Sequence, residues 1–145
     1  MNKTFEEICL RKSVRDFSNE PITEEEKRMI LEAALQAPTA GNMALYSIID
    51  VQDQEMKERL AILCDHQPFI AKAPMVLVFL ADYQKWYDIF NEYTEDMPKL
   101  EESDFILAGQ DCTIAAHNAV VAAQSLGIGS CYIGDILENF EVHQE

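Results

Sequence analysis

Positive charge is what this sequence has least of. Its 145 residues hold 11 lysines and arginines against 26 aspartates and glutamates, a formal net charge of −15. So acidic a surface repels a phosphate backbone and an anionic bilayer alike, so neither nucleic acid nor membrane is expected as a partner. No apolar run approaches the ~18–20 residues of a membrane span. The first residues have no apolar stretch behind Lys3, and a signal peptide is not expected. The four cysteines, Cys9, Cys64, Cys112 and Cys131, include no C-x-x-C pair. This spacing supports neither a zinc site nor a redox dithiol, and it leaves four reduced, mostly buried thiols as the expectation, with no metal. There is no internal repeat and no low-complexity tract. Apolar residues make up 48% of the chain, enough for the core of one ordinary domain over residues 1–145.

Apolar spacing and punctuation divide the chain. Residues 3–10 predict a short helix carrying Phe5 and Ile8, and residues 11–19 an extended or irregular segment. Thr23 followed by Glu24, Glu25 and Glu26 is a capping box, opening a helix that stops at Pro38. Residues 39–42 form a loop, residues 46–51 a strand and residues 54–64 an amphipathic helix. The continuous apolar run over residues 75–80 predicts a strand buried on both faces. The aromatic residues of 82–93 look helical, and Pro98 among its acids marks a solvated connection. Residues 103–126 predict one long helix closed by Gly127. Its middle is apolar on nearly every side and must be covered on every side. This predicts a helix–helix dimer seam in which alanines such as Ala119 allow close approach. A short strand over residues 130–133 and an amphipathic helix over residues 135–143 follow. The class is α+β: a small, mostly antiparallel sheet flanked by helices, one of them central.

Four segments carry candidate chemistry. Arg11-Lys12-Ser13-Val14-Arg15 contradicts the global charge. In an extended backbone, Arg11, Ser13 and Arg15 share one side, which suits a phosphate monoester; the alternative is a solvated patch pairing with Asp16 and Glu20. Pro38, Thr39, Ala40 and Asn42 place backbone groups and one amide at an element boundary, or form an ordinary turn. Gln67, just before Pro68, offers a bidentate amide, or is a polar loop residue. The glycine-rich stretch from Gly127 to Gly134 follows a helix and opens a strand, the reverse of a dinucleotide-binding loop, so a Rossmann pocket is rejected. A glycine after the short strand still lets backbone N–H groups approach a flat ring.

Taken together, Arg11-x-Ser13-x-Arg15-x-Phe17, Ala37-Pro38-Thr39-x-x-Asn42, Gln67-Pro68-Phe69-Ile70-x-x-Ala73-Pro74 and the stretch from Asp111 through Gly134 closely resemble the nitroreductase family of FMN-dependent oxidoreductases. The resemblance covers nearly the whole chain. It implies a nitroreductase-like α+β homodimer with the long central helix in the interface and FMN at the subunit boundary. By resemblance, Arg11, Ser13 and Arg15 hold the FMN phosphate and ribityl chain. Pro38, Thr39, Ala40 and Asn42 come from the opposite subunit and line the same flavin. Gln67 meets the pyrimidine edge, and Tyr132, Ile133 and Gly134 lie along the ring with a backbone N–H near N5. The resemblance further implies a cytoplasmic enzyme that takes a hydride from NADH or NADPH and reduces a nitroaromatic, a quinone or another small acceptor. The flavin would carry the chemistry, with no catalytic side-chain acid or base. A specialised member such as a reductive dehalogenase, and a non-catalytic flavin-binding or interaction protein, are the alternatives. There are two departures from the family pattern. Ala44-Leu45-Tyr46 stands where the family often has a Gln-Pro-Trp-like sequence. Family chains also usually continue with another strand and a C-terminal arm, so the flavin domain is expected to be incomplete at its C-terminal end, cut mid-helix at Glu145.

Overall fold

The first two helices begin where the sequence supplies a cap. A computed structural model describes residues 2–94, 96 and 99–143; Pro98 and Glu145 lie outside them. Helix α1 (Lys3–Leu10) starts at Asn2, whose side chain accepts from the Thr4 and Phe5 N–H groups. Helix α2 (Glu24–Leu35) starts on the predicted capping box. The Thr23 hydroxyl and backbone N–H both donate to Glu26 Oε2 at 2.7 Å, which holds the Glu26 carboxyl below the usual carboxylate range. At the far end of α2, two carbonyls receive donors from other elements, Ala34 O in addition to its bond from the Ala37 N–H (3.2 Å). Asn118 Nδ2 donates to Ala33 O (3.2 Å) and the Tyr46 hydroxyl to Ala34 O (3.0 Å).

The chain continues through β1 (Tyr46–Asp50), α3 (Gln54–Leu63), α4 (Phe69–Lys72), β2 (Leu77–Ala81), α5 (Gln84–Asn91), α6 (Glu102–Ser125) and α7 (Asp135–Glu138). Two 3-10 turns, Ala40–Asn42 and Phe140–His143, complete the described elements. Strands β1 and β2 pair antiparallel, with Ile48 opposite Phe79. Tyr46, Ile48, Leu77 and Phe79 pack into the core against α2 and α6, while Ile49 and Leu80 stay exposed on the other face. The apolar run over residues 75–80 is therefore covered on one face only. The expected strand over residues 130–133 contracts to a single parallel bridge between Ser130 and Ser13. The expected helix over residues 135–143 breaks at Asn139 (φ −110°, ψ 40°) into α7 and a 3-10 turn.

Helix α6 is the centre of the packing. Ile30 and Ala34 of α2 meet Ala119 and Ala123, and Ala37 and Tyr46 meet Ala115. Ala119 is only 4% exposed in the single chain. The alanine stripe is therefore not a free dimer seam. Its small side chains let α2 and the sheet approach α6 within one chain. Phe105, which is 72% exposed in the first turn of α6, and Ile106 and Ile114 are left uncovered. All four cysteines are unpaired, but only Cys64 is buried, and Cys9 sits on the exposed surface of α1.

Helix α6 ends in a Schellman motif. The Ile128 N–H donates to Ala123 O (2.9 Å), the Gly127 N–H donates to Gln124 O (3.0 Å), and Gly127 takes φ 79°. A side chain at that φ is strained, so Gly127→Ala is expected to cost about 1 kcal/mol. A lowered midpoint in thermal unfolding checks this.

Candidate functional site

Three of the four candidate segments converge. Residues 11–15 leave α1 in extended backbone, and the Val14 N–H donates to Ser130 O at 2.9 Å. Side-chain alternation turns Val14 onto Gly129 and leaves Ser13 and Arg15 exposed. Two residues on, the Phe17 ring lies 6.4 Å from the Phe69 ring, centroid to centroid. Gln67, just before Phe69, closes the triangle: its Nε2 donates to Asp135 Oδ2 (2.8 Å) and to Cys64 O (2.9 Å). Beneath them, Ala61, Cys64 and Ile70 form a small core packed by Phe69, Ile133 and Ile136. Arg11, Ser13, Arg15, Gln67, Tyr132, Ile133 and Gly134 thus belong to one connected region.

Its electrostatics are set by what the arginines do not do. On α2 the cations are paired, Lys27 with Glu24 and Arg28 with Glu25 and Glu32. Among the described residues neither Arg11 nor Arg15 pairs with a carboxylate, so the expected alternative of pairing with Asp16 and Glu20 is not what the fold adopts. Both guanidinium groups are left to bind an anion bidentately. Burial pushes the Tyr132 phenol up, and the nearby Arg11 cation pulls it back. The Cys64 thiol is pushed up by burial first and by Asp135 second, which keeps it protonated and a poor nucleophile. It lies 3.5 Å from His143 Nε2.

The two glycines of this region differ. A Cβ on Gly129 would lie 2.7 Å from Val14 Cγ2, so the pairing of the two segments requires glycine there. A Cβ on Gly134 would meet no atom within 4 Å. Space beside Gly134 is open, beside the half-exposed Tyr132 ring. The region can therefore take a phosphate-sized anion at one end and a flat ring at the other, with Gln67 Oε1 left as an acceptor.

The fourth segment is held elsewhere. The Ala40 N–H donates to Asp111 Oδ1 (3.0 Å) and the Leu45 N–H to Asp111 Oδ2 (3.2 Å). The Ala44 N–H donates to Thr39 Oγ1 (3.1 Å), and Trp86 Nε1 donates to Met43 O (2.6 Å). Among the described residues, no hydrogen bond joins Pro38, Thr39, Ala40 or Asn42 to residues 11–15 or 130–134. Asp111 and Asp135 are the residues the sequence reading passed over. The signal for Asp111 was present: one carboxylate in an otherwise apolar stretch of helix. Asp135 had only its place directly after Gly134.

Comparison with known proteins covers nearly the whole chain. The model of the nitroreductase family matches residues 8–145. The chain is 36% identical over 138 residues to the FMN reductase (NADPH) of Bacillus subtilis, covering 94% of this chain and 55% of that protein. It is 34% identical over 136 residues to the NADPH-flavin oxidoreductase of Vibrio harveyi, again 94% of this chain and 55% of that protein. The solved NfrA1 nitroreductase of B. subtilis superposes with a TM-score of 0.90 at 34% identity, over 99% of this chain and 60% of that one. The NADPH:FMN oxidoreductase of V. harveyi, solved in complex with NAD+, gives 0.88 at 33% identity, over 99% and 61%. The chain spans about 55% of the length of these two curated relatives. Motif order, the long α6 and the match along nearly all its length together show that this chain belongs to the nitroreductase family.

Proposed function

We propose that this chain is the flavin-binding part of an FMN-dependent oxidoreductase. It would move a hydride from NADH or NADPH to a small acceptor such as a nitroaromatic or a quinone. The observation that carries this reading is the joining of Arg11, Ser13 and Arg15 to Ser130 through a parallel bridge, with both arginines free of carboxylates among the described residues. These residues fit FMN. The two guanidinium groups and the Ser13 hydroxyl match a phosphate monoester. Asp135 engages the Gln67 amide nitrogen and so turns Oε1 toward an imide N–H. The open side of Gly134 leaves room for a ring. FMN bound here would supply the redox chemistry, accepting and returning hydride at N5. The chain's own part would be to hold the phosphate, orient Gln67, set Tyr132 along the ring, anchor that stretch through the Ile133 side chain in the small core, and offer a backbone N–H near N5. No side-chain acid or base is required of it.

We also propose a homodimer. What supports this is that the single chain leaves Phe105, Ile106 and Ile114 of α6, and Phe5 and Ile8 of α1, exposed. A second copy covering these side chains would bring exposed residues of α6 and α1, not the buried alanine stripe, into the interface. Pro38, Thr39, Ala40 and Asn42 would then line the flavin of the other subunit. Residues 1–145 would act as one flavin unit. Its free thiols suit the reducing cytoplasm. No helix among the described residues is long and apolar enough to cross a membrane.

The test is spectroscopic. Protein mixed with FMN and separated from free flavin is expected to be yellow, to bleach with NADPH or NADH, and to recover when a quinone or nitroaromatic is added. Protein that retains no flavin overturns the proposal. Arg15→Ala removes one charge-assisted phosphate contact of about 1.5–3 kcal/mol, raising the FMN Kd roughly tenfold or more. An unchanged Kd in a fluorescence titration removes Arg15 from the site.

A further inference from the structure

We infer that Asp111 is a positioning residue. It holds residues 39–45 in a strained conformation that presents the Asn42 amide to the flavin. This rests on the flavin and homodimer readings proposed above, in which Asn42 meets the other subunit's flavin, and adds to them a device for building the cofactor site.

The strain is local and specific. Gly41, Asn42 and Ala44 take φ values of 56°, 58° and 48°. Glycine adopts this region freely and asparagine tolerates it, but alanine is disfavoured there. A free loop would relax, so such a run persists only where its surroundings over-determine it. Two sides do so here. From α6, both carboxylate oxygens of Asp111 are taken by backbone N–H groups, those of Ala40 and Leu45. From the α5 side, Trp86 Nε1 donates to Met43 O, Lys85 Nζ donates to Tyr46 O (2.7 Å), and the Asp82 N–H donates to Leu45 O (2.9 Å). Asp111 is the only member of this set that is buried in α6, at 3% exposure. Between the two clamps Asn42 is exposed, and its amide has no hydrogen-bond partner among the described residues. The Asn42 backbone N–H is taken by Thr39 O (3.2 Å), while its side-chain amide is left open. A loop that served folding alone would not need its one left-handed asparagine held outward by a buried carboxylate.

The experiment is an FMN titration of the full chain, read by quenching of flavin fluorescence. The variants are Asp111→Asn, Asn42→Ala and the pair. Asparagine at 111 keeps the shape but turns an NH2 toward one backbone N–H. Each single variant is expected to raise the FMN Kd about tenfold, and the pair no more than either alone, because both act through one contact. Amide exchange at Ala40 and Leu45 should quicken in Asp111→Asn and stay unchanged in Asn42→Ala. Independent effects that multiply, or an Asp111→Asn protein that binds FMN like the wild type, overturn the inference and leave the flavin reading standing. Wild-type protein that takes up no FMN overturns both. If Asp111→Asn does not fold, Trp86→Phe loosens the same segment from the α5 side. Its smaller loss of FMN affinity should vanish in the Asn42→Ala background, and a loss that persists there counts against the inference.

Discussion

Asp111→Ala is expected to cost about 3 kcal/mol of folding stability, because hydrogen bonds to a charged group contribute roughly 1.5–3 kcal/mol each and two are lost. The two losses are unequal. Leu45 is fully buried, so its N–H would have no substitute partner, whereas Ala40 is partly exposed and its N–H can reach water. The side chain removed is also the only charged one buried along α6, so the cavity left behind is polar at its rim and is not refilled by apolar neighbours. Against a typical total of about 5–15 kcal/mol, this is a large fraction. In urea unfolding the midpoint should fall with little change in slope. Asp111→Asn should fall in between, since it keeps one acceptor. A midpoint equal to that of the wild type would mean that the Ala40 and Leu45 bonds contribute nothing.

Gly129→Ala should disrupt both stability and the site. The added Cβ would lie 2.7 Å from Val14 Cγ2, 2.9 Å from its Cβ and 3.1 Å from its Cγ1. These atoms cannot swing aside, because a β-branched side chain is stiff and the Val14 N–H is held at 2.9 Å by Ser130 O. The extended segment must move away, and with it the bridge that places Ser13 beside Ser130. Overpacking of this kind costs about 1–3 kcal/mol. The greater effect is on binding. Arg11, Ser13 and Arg15 would part from Tyr132 and Gly134, and the FMN Kd should rise tenfold or more. Adding Val14→Ala removes two of the three close contacts but leaves the Cβ at 2.9 Å, so rescue should be partial. Gly129→Ala protein that binds FMN as tightly as the wild type would disconnect the bridge from the site.

What could be read along the chain was whatever neighbours in sequence decide. The Thr23–Glu26 capping box, the Gly127 stop and the extended run of residues 11–15 depend on groups within a few positions of one another, and each stands where the sequence placed it. The strand over residues 130–133 failed for the same reason. A strand needs a partner along its length, and Ser130 finds one only at Ser13. The apolar run over residues 75–80 predicts a strand, but burial on both faces requires two covering layers, and the described chain supplies one.

The candidate site divides in the same way. Composition and spacing identified Arg11, Ser13 and Arg15 as a cationic group in an acidic chain, because residue type and backbone alternation are local properties. Periodicity also marked α6 as apolar all round. It did not tell which side the chain covers itself, since Ala119 and Phe105 are equally apolar in the sequence. The packing of Ile30 and Ala34 decides that Ala119 is inside, while Phe105 stays exposed. Likewise, Asp111 and Asp135 are two acids among 26 until the fold brings a backbone loop to one and the Gln67 amide to the other. The sequence alone determined which residue types stand close along the chain and where helices such as α1, α2 and α3 begin. Only the tertiary structure decided which groups meet, because a carboxylate acquires a role from the donors that long-range packing places within 3 Å or so of it.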